Sequence, residues 1–296
     1  MNTSALPSIF VSHGSPMIAL EPGATGAFLS RLGPAIDATF GRPRAVLAIS
    51  AHTLARQPAL LAAAQHDTVH DFGGFPDALY RLHYDAPGAP ALAGEVQALL
   101  GAAGIPVARV ERGGLDHGIW TALRYLYPAA DVPVLPLALV PDLAPSAQFA
   151  LGEALAPLRR AGVLVFGTGS ITHNLRLVFA QRPQSGGAPH REDTADSWEM
   201  PESRDFRSWF ADRTAARDWD ALFAYRRAAP HAALMHPTDE HLLPWYPAAG
   251  AGGRDATPVR LHETVTLGCL GMDCYAFGES AAALSAALAA EEGALT

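Results

Sequence analysis

The stretch "SIFVSHGSPM", residues 8–17, is an apolar run that stops abruptly at a histidine followed by Gly, Ser and Pro. Its aromatic and β-branched residues are typical of a buried strand, and the Gly and Pro are typical of its end. Similar runs occupy residues 45–52, 107–113, 132–140 and 162–170. Segments of helical period lie between them, at residues 24–36, 89–104, 117–128 and 146–162. This alternation predicts an α/β fold: a single three-layer domain with a central, mostly parallel sheet flanked by helices.

The second half of the chain is more polar and less regular. Residues 203–227 are predicted to form one or two helices, and residues 280–293 a last one. Residues 259–268 and 272–278 are predicted to pair as a hairpin at one edge of the sheet. Residues 181–202 are polar and contain three prolines, so we expect a long surface loop there. Since the sequence contains no repeat or low-complexity tract, we expect residues 1–296 to form one catalytic domain.

Composition argues against several classes of partner. The 296 residues carry a formal net charge of −8, which should repel nucleic acid and anionic membranes. The longest apolar stretch, residues 132–140, is far shorter than the roughly 20 residues of a membrane span. With two cysteines and no secretory signal pattern, the chain is expected to be cytoplasmic. The oligomeric state stays open.

Three histidines follow predicted strands: His13 ends "FVSH", His52 ends "AISAH", and His173 follows a Gly-rich turn after residues 162–170. Because ligands of open α/β sheets bind beyond the carboxyl ends of the strands, these side chains are expected to converge on one crevice. A single histidine at such a place is most often a turn or surface residue. Imidazole is, however, a common transition-metal ligand, and the recurrence favours His13 and His52 as a metal pair.

A further histidine cluster lies in "HAALMHPTDEHLLPW", residues 231–245. Thr238 is predicted to N-cap a short helix whose first turn contains Asp239, Glu240 and His241. Adjacent helical residues point about 100° apart, so either Glu240 or His241 can face a metal while the other turns away. A polar helical turn without a ligand role is the alternative.

Two loops combine glycine with chemically active side chains. "HDFGGFP", residues 70–76, contains His70, Asp71 and Phe75, and "GGLDHGIW", residues 113–120, contains Asp116 and His117. Glycine permits close approach of the backbone to a ligand. Ordinary turns use the same residue types, so each loop taken alone is as well explained by structure.

Six segments in one order, "HGSPM", "SAH", "HDFGGFP", "LDHGIW", "THNLR" and "HPTDEHLLP", span residues 13–244. In these motifs the chain resembles the class III extradiol ring-cleaving dioxygenases, in particular their DOPA 4,5-dioxygenase-like group. The resemblance implies an α/β domain with a central sheet, in agreement with the pattern of strands and helices.

The resemblance also implies roles for individual residues. His13, His52 and His241 would bind the metal, with Glu240 as the alternative third ligand because the wider superfamily uses a glutamate there. His173 would be the catalytic histidine or, in a zinc-bound form, a fourth ligand.

Further roles concern the substrate. His117 would hydrogen-bond a substrate hydroxyl or donate a proton. The expected substrate contacts are His70, Asp71, Phe75, Asp116 and Arg176.

The implied activity is that of a non-haem Fe(II) enzyme that inserts O2 into a catecholic ring and yields a ring-opened semialdehyde. His173 would act as the base, with a pKa expected near neutrality. Zn(II) is expected to occupy the site in purified protein, because imidazole sites bind zinc more tightly than ferrous iron. Two alternatives stay open: a tetrapyrrole metal chelatase, which also places "HGS" after its first strand, and a non-catalytic zinc-binding module.

Overall fold

The computed structural model describes residues 5–180 and 198–295. Its strands are β1 (Ser8–Ser12), β2 (Ala45–Ser50), β3 (Ala59–Leu61), β4 (Asp67–Thr68), β5 (Ala108–Val110), β6 (Gly114–Leu115), β7 (Val134–Ala138), β8 (Val163–Gly169), β9 (Val259–His262), β10 (Val265–Thr266), β11 (Leu270–Gly271) and β12 (Cys274–Phe277).

The helices are α1 (Gly23–Phe40), α2 (Asp77–Tyr80), α3 (Pro90–Ala102), α4 (His117–Leu126), α5 (Pro145–Leu155), α6 (Pro157–Arg160), α7 (Leu175–Ala180), α8 (Pro201–Ala216), α9 (Trp219–Phe223), α10 (Tyr225–Ala228), α11 (Ala232–Met235), α12 (Trp245–Gly252) and α13 (Ala281–Leu295). A short 3-10 helix spans Pro16–Ala19.

Eight strands form the main sheet in the order β5-β3-β7-β2-β8-β1-β12-β9. The four central strands, β7, β2, β8 and β1, are parallel neighbours. Antiparallel pairing joins β3 to β7 on one side and β12 to β1 on the other. The prediction of a mostly parallel sheet is therefore confirmed, and so is the edge hairpin, because β9 and β12 pair antiparallel at the edge.

The central strands are buried on both faces, as their continuous apolar runs predict. Successive residues of β2 alternate between two cores: Leu47 and Ile49 pack with residues of α3, α5, α8 and α12. Val46 and Ala48 pack with residues of α1, α4 and α13 on the opposite face. This alternation of period two produces the predicted three layers.

Helix boundaries differ from the prediction at two places. The helix expected over 146–162 divides into α5 and α6, because Pro157 has no N–H for an intrahelical bond. The region 203–227 forms three helices, α8, α9 and α10. α8 ends at Ala216 and is followed by Arg217, which adopts a left-handed conformation with φ of 56°.

The loop predicted over 181–202 ends earlier than expected, since α8 begins at Pro201. Residues 198–200 are irregular, and residues 181–197 lie outside the described part of the chain. No helix within the described residues combines the length and apolarity that crossing a bilayer requires.

Candidate active site and metal centre

Three histidines meet at the carboxyl edge of the parallel strands. His13 directly follows β1, His52 lies two residues beyond β2, and His117 is the first residue of α4. Each offers a ring nitrogen, and these nitrogens lie within 4.8 Å of one another. The Nε2 atoms of His13 and His52 are 3.1 Å apart. This set of three imidazoles is able to hold a metal ion.

Two more histidines border the set. The ring centroid of His241 lies 4.9 Å from that of His52 and 5.7 Å from that of His13. The His173 ring stacks on His241 with centroids 3.5 Å apart and planes 7° apart. The strand-end histidines therefore do converge on one place. His117 completes the set of three ring nitrogens with His13 and His52, and His241 lies beside this set.

The segment that carries His241 is not the helix that the sequence predicts. Residues 238–244 form turns, and α12 begins only at Trp245. The Thr238 hydroxyl donates to Glu240 Oε1 (2.8 Å) and caps no backbone N–H. Asp239 instead accepts from the Tyr225 hydroxyl (2.5 Å) and pairs with Arg226 (2.6 Å). These contacts with α10 stabilise the turn, at the place where the sequence predicts a capped helix.

Glu240 and His241 take different positions in this turn. Glu240 Oε1 lies 3.2 Å from His241 Nδ1 and accepts its hydrogen bond. The carboxylate therefore lies at the Nδ1 side of the imidazole. The Nε2 atom of His241 is not engaged by Glu240. This places Glu240 as a partner of His241, which is the usual place of a carboxylate behind a metal-binding histidine.

The tautomer of His13 follows from its partners. The Thr168 hydroxyl donates its single hydrogen to the carbonyl oxygen of Gly118 (2.8 Å). It also lies 2.9 Å from His13 Nδ1, and with its hydrogen used it accepts there. His13 thus carries its hydrogen on Nδ1, and its Nε2 lone pair faces His52.

Asp71 is the partner of His117. Its Oδ1 accepts from the backbone N–H of His117 (2.9 Å), and its Oδ2 accepts from His117 Nδ1 (3.0 Å). Burial raises the pKa of Asp71, but the hydrogen bond from His117 outweighs this effect and the net shift is downward. Asp71 is therefore a carboxylate whose two oxygens are both engaged by one histidine.

Burial lowers the pKa of His13, His52, His173 and His241 and keeps these four imidazoles neutral. It lowers the pKa of His52 to about 4, with a further contribution from His117. Burial, aided by neighbouring histidines, also lowers the pKa values of His13 and His241 well below the ordinary value. The pKa of His173 falls to about 2 through burial and the adjacent His241. The expectation of a near-neutral pKa for His173 is wrong for this ring.

These observations fit a divalent transition metal. A metal binds the unprotonated nitrogen, which is the state that burial enforces here. Metal–nitrogen bonds of about 2.0–2.1 Å place two nitrogens on one ion about 3 Å apart, close to the 3.1 Å between His13 Nε2 and His52 Nε2.

Asp116 occupies a structural position. It N-caps α4 by accepting from the Ile119 N–H, and its carboxylate also accepts from Ser50 (2.7 Å) and Thr53 (2.5 Å). The side chain is buried, and burial raises its pKa. These bonds tie the segment around His52 to the start of α4, and the predicted substrate contact of Asp116 stays a prediction.

The "HDFGGFP" loop builds an aromatic wall beside His117. Phe72 makes an edge contact with the His117 ring (5.6 Å between centroids) and a second one with Phe75 (5.4 Å). His70 donates to the Leu82 carbonyl (3.1 Å), so this ring holds the loop itself. The sequence analysis selected Phe75 and missed Phe72, although Phe72 directly follows Asp71.

Arg176 lies in the first turn of α7, and its side chain is exposed. Its backbone N–H donates to Asn174 Oδ1 (3.0 Å), as does the N–H of Leu177 (3.3 Å). Asn174 of the "THNLR" motif therefore caps α7, two residues before Arg176.

Thr168 was also missed by the sequence analysis. It is a fully buried hydroxyl on a strand whose neighbours are apolar. Because buried polar groups need partners, such a residue at a strand end beside "GSITH" is a detectable signal.

Comparison with known proteins agrees with this geometry. Residues 7–285 match the family model described as the catalytic LigB subunit of aromatic ring-opening dioxygenase. The 4,5-DOPA dioxygenase extradiol of Beta vulgaris is 35% identical over 272 residues, covering 91% of this chain and 96% of that protein. The enzyme of the same name from Escherichia coli K12 is 41% identical over 179 residues, covering 60% of this chain and 64% of its own.

A solved structure shares the fold. The crystal structure of an uncharacterised protein from Escherichia coli K12 superposes with a TM-score of 0.73 at 28% identity, covering 92% of this chain and all of that one. The family match favours ring opening over the chelatase and the zinc-module alternatives. The chain belongs to the LigB family of aromatic ring-opening dioxygenases, the class III extradiol ring-cleaving enzymes.

Proposed function

We propose that this chain is a non-haem Fe(II) extradiol dioxygenase that inserts O2 into a catecholic ring and yields a ring-opened semialdehyde. The observation that carries the proposal is the gathering of imidazoles at the carboxyl edge of the sheet, with the Nε2 atoms of His13 and His52 3.1 Å apart. The names of the relatives support a catechol of the DOPA type as substrate. The whole chain is proposed to form one catalytic domain, in line with the extent of the family match.

His13 and His52 are the proposed metal ligands, and His241 is the proposed third. Glu240 then supports His241 through Nδ1 instead of binding the ion itself. Bound Fe(II) would supply the means of bringing a singlet catechol and triplet O2 together, which no protein side chain provides.

His173 and His117 are the proposed acid–base residues. His173 is unprotonated because burial lowers its pKa, so its ring nitrogen is able to accept from a catechol hydroxyl, whose acidity a bound metal would increase. The Asp71 carboxylate accepts from Nδ1 of His117, which orients the ring and leaves its Nε2 for a substrate hydroxyl.

The pocket wall is proposed to select a flat aromatic substrate. Phe72 and Phe75 lie on the side of His117, and aromatic rings favour edge and offset contacts with another ring. Exposed Arg176 is the proposed partner of a carboxylate on the substrate's side chain, by analogy with the fork geometry that arginine offers to carboxylates.

The test begins with anaerobic removal of metal and reconstitution with Fe(II). O2 uptake and visible absorbance are then followed on addition of a panel of catechols, with His13→Ala in parallel. One O2 consumed per catechol with a yellow product, absent in the variant, is the expected result. No uptake across the panel despite confirmed iron occupancy would reject the proposal.

A further inference from the structure

One carboxylate, that of Asp71, reaches two histidines that belong to different elements. Its Oδ2 lies 3.0 Å from Nδ1 of His117 at the start of α4 and 3.6 Å from Nδ1 of His52 beyond β2. Its Oδ1 accepts the His117 backbone N–H at 2.9 Å. These bonds use one lone pair on each oxygen and direct the carboxylate at the two histidines.

The hydrogen bond to Asp71 decides the tautomer of His117. A carboxylate only accepts, so Nδ1 of His117 carries the hydrogen. If the ring is neutral, its Nε2 is then a bare lone pair. The His117 ring lies beside His13 and His52, with one ring nitrogen of each histidine within 4.8 Å of the others.

His52 is subject to a different constraint. Its Nε2 lies 3.1 Å from His13 Nε2, which carries no hydrogen because His13 donates from Nδ1 to Thr168. The contact is therefore a hydrogen bond only when His52 carries its own hydrogen on Nε2. A metal ion at this nitrogen requires that the proton leave Nε2 for solvent and that another be taken up at Nδ1, so that the ring stays neutral.

Asp71 Oδ2 is the acceptor that faces His52 Nδ1. The 3.6 Å separation is too long for a hydrogen bond in the metal-free arrangement, and a small rotation of the imidazole would close it. A carboxylate at this place favours the Nδ1–H tautomer once the metal takes Nε2.

We propose that Asp71 is a positioning residue that selects the Nδ1–H tautomers of His117 and His52, so that the Nε2 lone pair of His52 is presented to a divalent metal and that of His117 stays free for the substrate. This inference rests on the proposed function only in placing a metal at the histidine cluster. It assigns Asp71 to the histidines and not to the substrate.

The test uses the full chain labelled with ¹⁵N-histidine, with long-range ¹H–¹⁵N spectra recorded before and after addition of Zn(II). His117→Gln and His52→Gln identify the two rings. Wild-type His117 should show Nδ1–H without metal, and His52 should change from Nε2–H to Nδ1–H when zinc binds. A wild-type His117 protonated at Nε2 overturns the proposal, and this outcome needs no variant.

Asp71→Asn supplies the second measurement. The amide keeps the size of the side chain, and its oxygen should accept the His117 backbone N–H, which can only donate. The NH2 group then faces Nδ1 and cannot accept from it, so His117 should change to Nε2–H. Zn(II) affinity, measured by competition with a chromophoric chelator, should fall by roughly 10–100-fold. Asp77→Asn, an exposed aspartate at the start of α2, is the matched control and should bind zinc as wild type does.

Unchanged zinc affinity and unchanged tautomers in folded Asp71→Asn protein would overturn the proposal. Neither readout involves ring cleavage. A chain that shows both tautomers and the affinity loss, yet opens no catechol with iron, would retain the role of Asp71 and lose the proposed function.

Discussion

The imidazoles of His173 and His241 stack face to face, with ring centroids 3.5 Å apart and planes 7° apart. Stacking at this distance favours two neutral rings, because a charge on one would be buried against the other. Burial together with this contact lowers the pKa of His173 to about 2. The pair thus combines a proposed ligand with a proposed base in direct contact.

His173→Gln should retain the metal and lose turnover. Glutamine still fills part of the space beside His241 but cannot take up a proton, and general base catalysis contributes roughly 10²–10⁴-fold. Metal content by elemental analysis and kcat by O2 uptake check this expectation. Loss of the metal in this variant would instead show that His173 is a ligand. The control is His83→Gln, which changes an exposed histidine.

The third ligand is tested by comparing His241→Gln with His117→Gln. We expect the His241 variant to lose more zinc affinity, since burial holds its pKa far below the ordinary value and keeps its nitrogen unprotonated. Titration with Zn(II) against a chelator measures both. A larger loss in His117→Gln would assign the third position to His117, whose ring nitrogen lies within 4.8 Å of those of His13 and His52.

Glu240→Gln tests the alternative ligand in the same assay. Because Glu240 accepts a hydrogen bond from His241 Nδ1, its amide should weaken zinc binding moderately and leave one ion per chain. Abolished binding would make the carboxylate itself a ligand. Glu263→Gln, on a half-exposed carboxylate that pairs with Arg260, provides the comparison.

The convergence of the strand-end histidines was predictable because the carboxyl ends of parallel strands share one edge. A local pattern, a strand that ends near a histidine, was therefore enough to predict that His13, His52 and His173 lie close together. The bond between Asp71 and His117 was not predictable, since it joins two loops 46 residues apart in the chain. The helix expected at Thr238 fails for a related reason. Its neighbour Asp239 is bound by Tyr225 and Arg226, tertiary partners that no local pattern reveals.

Gly118→Ala should disturb the metal centre by displacing His13. A Cβ at this position would lie 2.8 Å from Ser50 Oγ and 2.9 Å from Cε1 of the His13 ring, closer than side-chain carbons are found. Such overpacking typically costs about 1–3 kcal/mol and would move His13, so both the free energy of unfolding and zinc affinity should fall. Denaturant unfolding and zinc titration measure the two effects.

The matched control is Gly94→Ala in α3, where a Cβ has no atom within 4 Å. Alanine in a helix interior is more favourable than glycine by roughly 0.5–1 kcal/mol, so this variant should be more stable with unchanged zinc affinity. Equal changes in unfolding free energy and zinc affinity in the two variants would show that the close approach at Gly118 is not the cause of the losses.

The metal-free protein should lose stability as the pH falls below about 6.5. Burial lowers the pKa of His236 to about 4, against about 6.5 in the unfolded chain, so the unfolded state binds more protons between these values. The free energy of unfolding therefore rises with pH in this window and is lost as the pH decreases from 6.5 to 4. At about 1.4 kcal/mol per pKa unit, His236 accounts for roughly 3 kcal/mol of that loss.

His236→Gln isolates this contribution. Its amide is able to donate to the Ile171 carbonyl, as Nε2 of His236 does at 2.8 Å, but it does not titrate. Urea unfolding at pH 7 and pH 4.5 should therefore show a smaller pH-dependent loss in this variant than in wild type. His83→Gln, an exposed position, should keep the wild-type dependence, and an equal reduction in both variants would show that the titration of buried His236 is not its source.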